Sequence, residues 1–182
     1  MGGVRLLEWL VPLAVEETVD WDAVYREELP RVLNFHRYRV FDRATAEDLT
    51  SITFEKAWRA RGRYRKDRAA VATWLLSIAR NVAIDHFRRA KTRPEVPLEG
   101  DGVPDSLTPE DEAVRREEQR RLGTLLAGLP PRERELVALK YGAGATNRAI
   151  AKLTGLSESN VGTILHRTVG TLRAAWDEGG RP

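Results

Sequence analysis

The sequence has no cysteine, which excludes disulfides, thiol nucleophiles and zinc knuckles and fits a cytoplasmic protein. Only three histidines are present, His36, His86 and His166, and they stand too far apart for metal-ligand spacing. No glycine-rich phosphate loop and no Ser/His/Asp signature can be found. No long apolar run spans a bilayer: the stretch Val4 to Val15 is interrupted by Glu8 and Pro12, and it lacks a small-residue cleavage site. It reads as an extra N-terminal helix or tail. Sustained period-two alternation is missing too, so strands are not expected. No catalytic residue, metal or cofactor is expected, and no membrane insertion.

What is present is charge, unevenly placed. The 182 residues carry 30 Lys or Arg and 27 Asp or Glu, a net charge of only +3. Yet Lys56 to Arg93 holds twelve Lys or Arg against two acids, Asp67 and Asp85. Glu95 to Glu112 then holds seven acids and no Lys or Arg. A basic block followed by an acidic one suggests a polyanion-binding domain and a separate connector. Four prolines (94, 97, 104, 109) and two glycines (100, 102) mark that connector as a flexible linker.

Helical periodicity fills the rest. Asp20 is placed to cap a helix from Trp21 towards Val40, with Val24, Tyr25, Val32 and Phe35 as core candidates and Pro30 expected to kink or split it. Ala44 to Arg61 reads as a second helix carrying Leu49, Ile52, Ala57 and Trp58. The basic loop Arg61 to Arg68 follows, with Gly62 as breaker. Ala69 to about Ala90 is a third helix. On it Trp74, Leu75, Ile78 and Val82 form an apolar stripe, while Ser77, Arg80, Asn81, Ile84, Phe87 and Arg88 form an outer face. Cations, an amide and outward apolar groups together suit phosphates, base edges and unstacked bases. An ordinary amphipathic helix with a few surface apolars is the bland alternative.

Helix resumes near Glu110, with Ala113, Leu122, Leu125 and Leu126 on one face. After Leu129-Pro130-Pro131 a new helix is expected to about Tyr141. The chain then takes the form of a helix-turn-helix: Thr146 caps one helix, Thr154-Gly155-Leu156 makes a tight turn, and Ser157 caps a last helix through Trp176. The inner face of that last helix is Val161, Ile164, Leu165, Thr168, Leu172 and Trp176. The outer one presents Ser159, Asn160, Thr163, His166, Arg167 and Gly170, as a recognition helix would.

Two runs of residues together resemble one family. Ala46-Glu47-Asp48-Leu49, Phe54, Ala57-Trp58, Trp74-Leu75, Ile78-Ala79-Arg80-Asn81, Asp85 and Arg88-Arg89 resemble the second conserved region of extracytoplasmic-function (ECF) sigma factors. Leu129-Pro130, Arg134, Ile150-Ala151, Gly155-Leu156-Ser157, Val161, Leu165-His166-Arg167 and Leu172-Arg173 resemble their fourth region. The resemblance implies an all-α fold of two small helical domains joined by a flexible acidic linker. The expected division is an N-terminal extension (1–18), region 2 (19–92), the linker (93–109) and region 4 (110–178). It implies an alternative sigma factor, not an enzyme, with core RNA polymerase and promoter DNA as partners and an anti-sigma factor as a further candidate.

Residue by residue, the resemblance assigns Glu47, Asp48, Ser51 and Ile52 to core polymerase. It assigns Arg63, Arg65, Lys66, Trp74, Ser77, Arg80, Asn81, Ile84 and Arg88 to the minus-ten element. Ser157, Ser159, Asn160, Thr163, His166 and Arg167 go to the minus-thirty-five element. The chain departs from the family pattern at Ser51-Ile52, where Gln-Glu is frequent, and at Ala149, where a Glu would complete a capping box with Thr146. Gly162 and the missing cations beside it set the recognition helix apart as well. A stand-alone helix-turn-helix regulator is the alternative reading. A helical enzyme using Asp48, Asp85 and His86 is disfavoured, because Asp85 and His86 are neighbours about 100° apart on a helix.

Overall fold

The computed structural model describes residues 19–92 and 109–178, with side chains over 19–90 and 117–178. Among them there are seven α-helices and no strand: α1 (Trp21–Val40), α2 (Arg43–Ala60), α3 (Val71–Thr92), α4 (Pro109–Ala127), α5 (Pro131–Val137), α6 (Asn147–Thr154) and α7 (Glu158–Glu178). A 3₁₀ turn at Arg61–Arg63 follows α2, and a wide π turn at Ala138–Gly142 extends α5. The expected linker (93–109) and N-terminal segment (1–18) lie outside the described residues, except for Pro109.

Local chemistry sets the helix ends. Asp20 accepts from the amides of Asp22 and Ala23, both at 3.0 Å. Asp42 accepts from Thr45 N–H at 2.7 Å and starts α2. Arg134 donates to the carbonyls of Ala127 and Leu129, satisfying the end of α4. Of the expected kink or split at Pro30 the split is absent, and α1 runs through it. Pro30 lies on the exposed side, where the carbonyl that loses its bond can turn to water.

The two expected helical units are present, but they share one core. Val32, Phe35, Leu76, Ala79 and Ala83 of α1 and α3 join Leu126, Leu136, Val137, Leu139, Ile150, Val161 and Leu165 in a single apolar cluster. Fully burying one Leu or Phe stabilises the fold by roughly 1.5–3 kcal/mol, so this shared cluster couples the units strongly. Helix α1 is the element between them. It packs on α2 and α3 and also on α5 and the 138–142 turn.

Two backbone positions allow that closeness. A Cβ on Gly142 would sit 3.0 Å from the Asn34 carbonyl oxygen and 3.2 Å from the Tyr38 ring, so only glycine lets the turn press on α1. Phe41 ends α1 with φ 57°, a left-handed conformation uncommon for a bulky residue. Its ring packs beside Gly123 of α4 and beneath the Arg134 guanidinium, which lies 5.6 Å from the ring centroid.

Core membership differs in detail from the sequence reading. Tyr25, a core candidate, is 48% exposed, and Trp58, Ile52 and Leu122 are also exposed. His36, by contrast, is fully buried, and its Nε2 lies 3.0 Å from the Thr53 hydroxyl. Burial, helped by the nearby Arg39 and His86, lowers its pKa from 6.5 to about 3. The folded chain therefore refuses a proton that the unfolded chain accepts. Between pH 6.5 and about 3, stability should fall as pH falls, with a slope approaching 1.4 kcal/mol per pH unit; above 6.5 this group contributes no pH dependence. Urea unfolding at a series of pH values checks this. His36→Gln should be less stable at neutral pH and show a flatter acid limb.

Candidate nucleic-acid interface

The minus-ten candidates start in the loop after α2. Trp21, Tyr64 and Trp74 form an aromatic triangle with centroid separations of 5.9, 5.7 and 5.2 Å. Tyr64 also donates its hydroxyl to the Ala69 carbonyl at 3.0 Å. This anchor pins the middle of the loop, so Arg63, Arg65 and Lys66 flank it as exposed cations at the start of α3. Arg65 stands 3.6 Å from Asp67.

Along α3 the candidates separate. Asn81 and Ile84 are exposed, Ile84 by 40%. With the exposed Arg88 they fall at i, i+3 and i+7, one continuous strip. Arg88 lies 3.2 Å from Asp85, which is also 3.8 Å from Lys56. Trp74 is half-buried in the aromatic triangle, and Ser77 donates its hydroxyl to the Trp74 carbonyl at 2.6 Å.

Two residues of the expected outer face belong elsewhere. Arg80 is turned to the other helical unit, where its Nε donates to Glu135 Oε1 at 2.9 Å. Phe87 is half-buried against the shared core, with the Arg39 guanidinium 4.9 Å above its ring. Helical periodicity treats every side turned from α1 and α2 as outward, and it has no knowledge of the second unit. Arg39 itself is buried and donates to the Pro131 carbonyl at 3.1 Å. Burial lowers its pKa, while Glu135 pulls the other way.

The helix-turn-helix is formed by α6 and α7. Thr146 accepts from Ala149 N–H at 3.1 Å, and Gly155 ends α6 at φ 74° with its N–H on the Ala151 carbonyl. Ser157 accepts from Asn160 N–H at 3.2 Å and caps α7. Ser159, Asn160, Thr163, His166 and Arg167 are all exposed. The Thr163 hydroxyl donates to the Ser159 carbonyl at 3.1 Å, and Arg167 pairs with Glu133 at 3.1 Å. Two further cations were missed by sequence reasoning. Arg148 and Lys152 of α6 are exposed and stand at i and i+4, suited to a phosphate backbone crossing the first helix of the motif.

On α2, Glu47, Asp48, Ser51 and Ile52 are exposed, Ile52 by 38%. Glu47 is held by Arg43 at 2.8 Å, and Ser51 donates to the Glu47 carbonyl at 3.0 Å. Trp21, Tyr25, Phe54 and Trp58 line an open apolar groove of about 230 Å³ between α1 and α2. Arg61 stacks 3.9 Å above the Trp58 ring. Among the described residues no cluster of His, Asp and Glu could hold a metal, and no helix is long and apolar enough to cross a membrane. Asp48 stands on α2, whereas Asp85 of α3 is engaged with Lys56 of α2 and Arg88 of α3.

These features define a two-part helical protein whose second part ends in a helix-turn-helix. The family model Sigma-70 region 2 matches residues 24–93, and Sigma-70, region 4 matches residues 119–172. The chain is 31% identical over 172 residues to the ECF RNA polymerase sigma factor BldN of Streptomyces coelicolor, covering 92% of this chain and 64% of that protein's length. It is 31% identical over 146 residues to the ECF RNA polymerase sigma factor RpoE of Cereibacter sphaeroides, covering 79% and 77%. The fold is shared with the sigma factor RpoE co-crystallised with the anti-sigma factor NepR from Bartonella quintana: TM-score 0.67, 20% identity, 87% of this chain and 97% of that one. The chain belongs to the ECF family of RNA polymerase sigma factors.

The position of α7 depends on the α6 cap. Thr146→Ala removes the acceptor for Ala149 N–H and should destabilise the protein by about 1 kcal/mol, with no capping-box carboxylate to compensate. Thermal unfolding checks this, and Thr146→Ser should recover most of the loss.

Proposed function

We propose that the chain is an alternative sigma factor that binds core RNA polymerase and directs promoter recognition and transcription initiation. It is itself no enzyme. Its units are region 2 (19–92) and region 4 (110–178), joined by the acidic linker (93–109). Core polymerase docks on Glu47, Asp48, Ser51 and Ile52. Arg63, Arg65, Lys66, Trp74, Ser77, Arg80, Asn81, Ile84 and Arg88 serve the minus-ten element. Ser157, Ser159, Asn160, Thr163, His166 and Arg167 serve the minus-thirty-five element.

The observation that carries this reading is the exposed strip Asn81, Ile84 and Arg88 beside the loop cations, in the same chain as an exposed recognition face on α7. An amide offers donor and acceptor together for a base edge, Ile84 offers an apolar contact, and Arg88 a phosphate partner. Ser77 is better suited to positioning than to reading, since its donor is already used on Trp74. The aromatic triangle keeps Trp74 and the loop rigid, which favours a preformed strand pocket. A protein of the same fold, the sigma factor RpoE of Bartonella quintana, is held in a complex with the anti-sigma factor NepR, which supports such a factor as a further partner. Run-off transcription with core polymerase on a genomic fragment library tests the reading; no specific start with any fragment would overturn it.

The polymerase face makes one prediction. Asp48→Arg reverses an exposed charge without touching the core, so the variant should fold normally and lose core binding in pull-down. A folded variant that binds undiminished would remove Asp48 from the interface.

The reading face makes another. Asn81→Ala should leave stability unchanged or slightly raised, because Ala is the better helix former. Duplex binding by the holoenzyme should weaken only modestly, as phosphate contacts supply much of it. Strand opening should lose roughly 1–3 kcal/mol, the cost of an unsatisfied base. Permanganate reactivity of minus-ten thymines measures it, and opening equal to wild type would make Asn81 a mere surface residue.

A further inference from the structure

The groove between α1 and α2 is walled by Trp21 and Tyr25 on one side and by Phe54 and Trp58 on the other, with the buried Ala57 and Leu75 behind them. Tyr25 and Phe54 meet edge to face at a centroid distance of 4.7 Å, so the two walls touch there. No element among the described residues covers the groove, and Tyr25 and Trp58 are half exposed beside it. Exposed aromatic walls around a concave apolar floor have the form of a docking site.

The chain carries a fitting occupant next to the groove. Val4 to Val15 holds nine apolar residues against two charges, Arg5 and Glu8. Chain that stays in water is poor in apolar residues and rich in charge, and this segment is the reverse. At helical pitch Leu6, Trp9, Leu10 and Leu13 recur at i, i+3, i+4 and i+7, while Arg5, Glu8 and Pro12 share another side. Five residues, 16–20, connect Val15 to Trp21, which is itself a wall of the groove. Fully extended, they span at most about 18 Å. A tether this short holds the segment at an effective concentration on the order of millimolar, well ahead of a second copy in dilute solution. The connection is acidic at Glu16 and Glu17, and the turn Arg61–Arg63, joined to Trp21 through Tyr64, offers cations close by.

We propose that the segment Val4–Val15 of the same chain seats its Leu6, Trp9, Leu10 and Leu13 stripe in the groove between α1 and α2, covering Tyr25 and Trp58. Trp21 belongs both to this groove and to the aromatic triangle with Tyr64 and Trp74, so the seated segment also backs the anchor of the basic loop. The seat requires neither polymerase nor nucleic acid, and it holds whether or not the loop cations bind DNA.

Hydroxyl-radical footprinting of the purified full chain, read residue by residue by mass spectrometry, tests the seat. Leu10→Asp with Leu13→Asp puts charge into the stripe without touching any helix of the described fold. Tyr25 and Trp58 should then oxidise about threefold faster than in wild type, because their reactivity follows the population with the groove open. Trp176 of α7, away from the groove, should not change. In turn Trp58→Glu, at an exposed position, should raise the oxidation of Trp9 by a similar factor. Protection of Tyr25 and Trp58 in wild type should persist over about a hundredfold dilution, as a tethered occupant is not lost to solution.

Tyr25 and Trp58 rates in Leu10→Asp/Leu13→Asp less than about twofold above wild type would overturn the proposal, since the covered population would then be minor and the groove would stand open in the lone chain. Protection that fades on dilution would overturn it in favour of a second copy. Unchanged Trp9 oxidation in Trp58→Glu would overturn it as well, by placing the segment elsewhere.

Discussion

Helix α1 must be covered on two sides, and most of the structure follows from that. His36 points to Thr53 of α2, while Arg31, Asn34 and Tyr38 meet the turn and α5 of the other unit. Between these directions Val32 and Phe35 have no exposure at all. Neither unit alone would bury both sides of α1. The close approach at Gly142, the left-handed Phe41 corner under Arg134 and the orientation of Phe87 are all consequences of fitting a second helical unit onto a helix already used by the first.

The covering has a polar as well as an apolar part, and the two do different work. The apolar cluster supplies non-directional attraction that scales with area. The directed contacts choose the register: two arginine bonds to backbone carbonyls and one arginine–carboxylate pair cross the seam. Bonds of this charged kind contribute about 1.5–3 kcal/mol each when buried partners would otherwise be left unsatisfied. The Arg39 Nε atom is buried with no hydrogen-bond partner, so the seam is not fully satisfied even when shut. Such a contact favours one arrangement of the units without making it permanent.

Local signals were readable in the sequence wherever a side chain acts on its own backbone. Asp20, Thr146 and Ser157 cap the helices they were expected to cap, and Gly155 takes the left-handed turn between α6 and α7. Val161, Leu165 and Thr168 are buried as their spacing predicts. What failed were the inferences that turned on one particular neighbour. Tyr25 and Trp58 have core chemistry and helical spacing, yet they border an open groove that no element among the described residues covers. Arg80 and Phe87 have an outward register on α3, yet they meet α5 and Arg39. Pro30 lacks the amide of its turn, yet α1, packed on both sides, runs through it.

The same distinction explains the candidate site. The identity of Asn81 as an exposed amide is a property of α3 by itself, and the sequence suffices for it. The state of Arg80 is a property of two units together. A guanidinium one residue away along the same helix, about 100° around it, passes from solvent to a carboxylate partner solely because α5 is there. Adjacent residues of one proposed reading surface therefore depend on different parts of the fold: Asn81 on α3 alone, and Arg80 on the contact between α3 and α5.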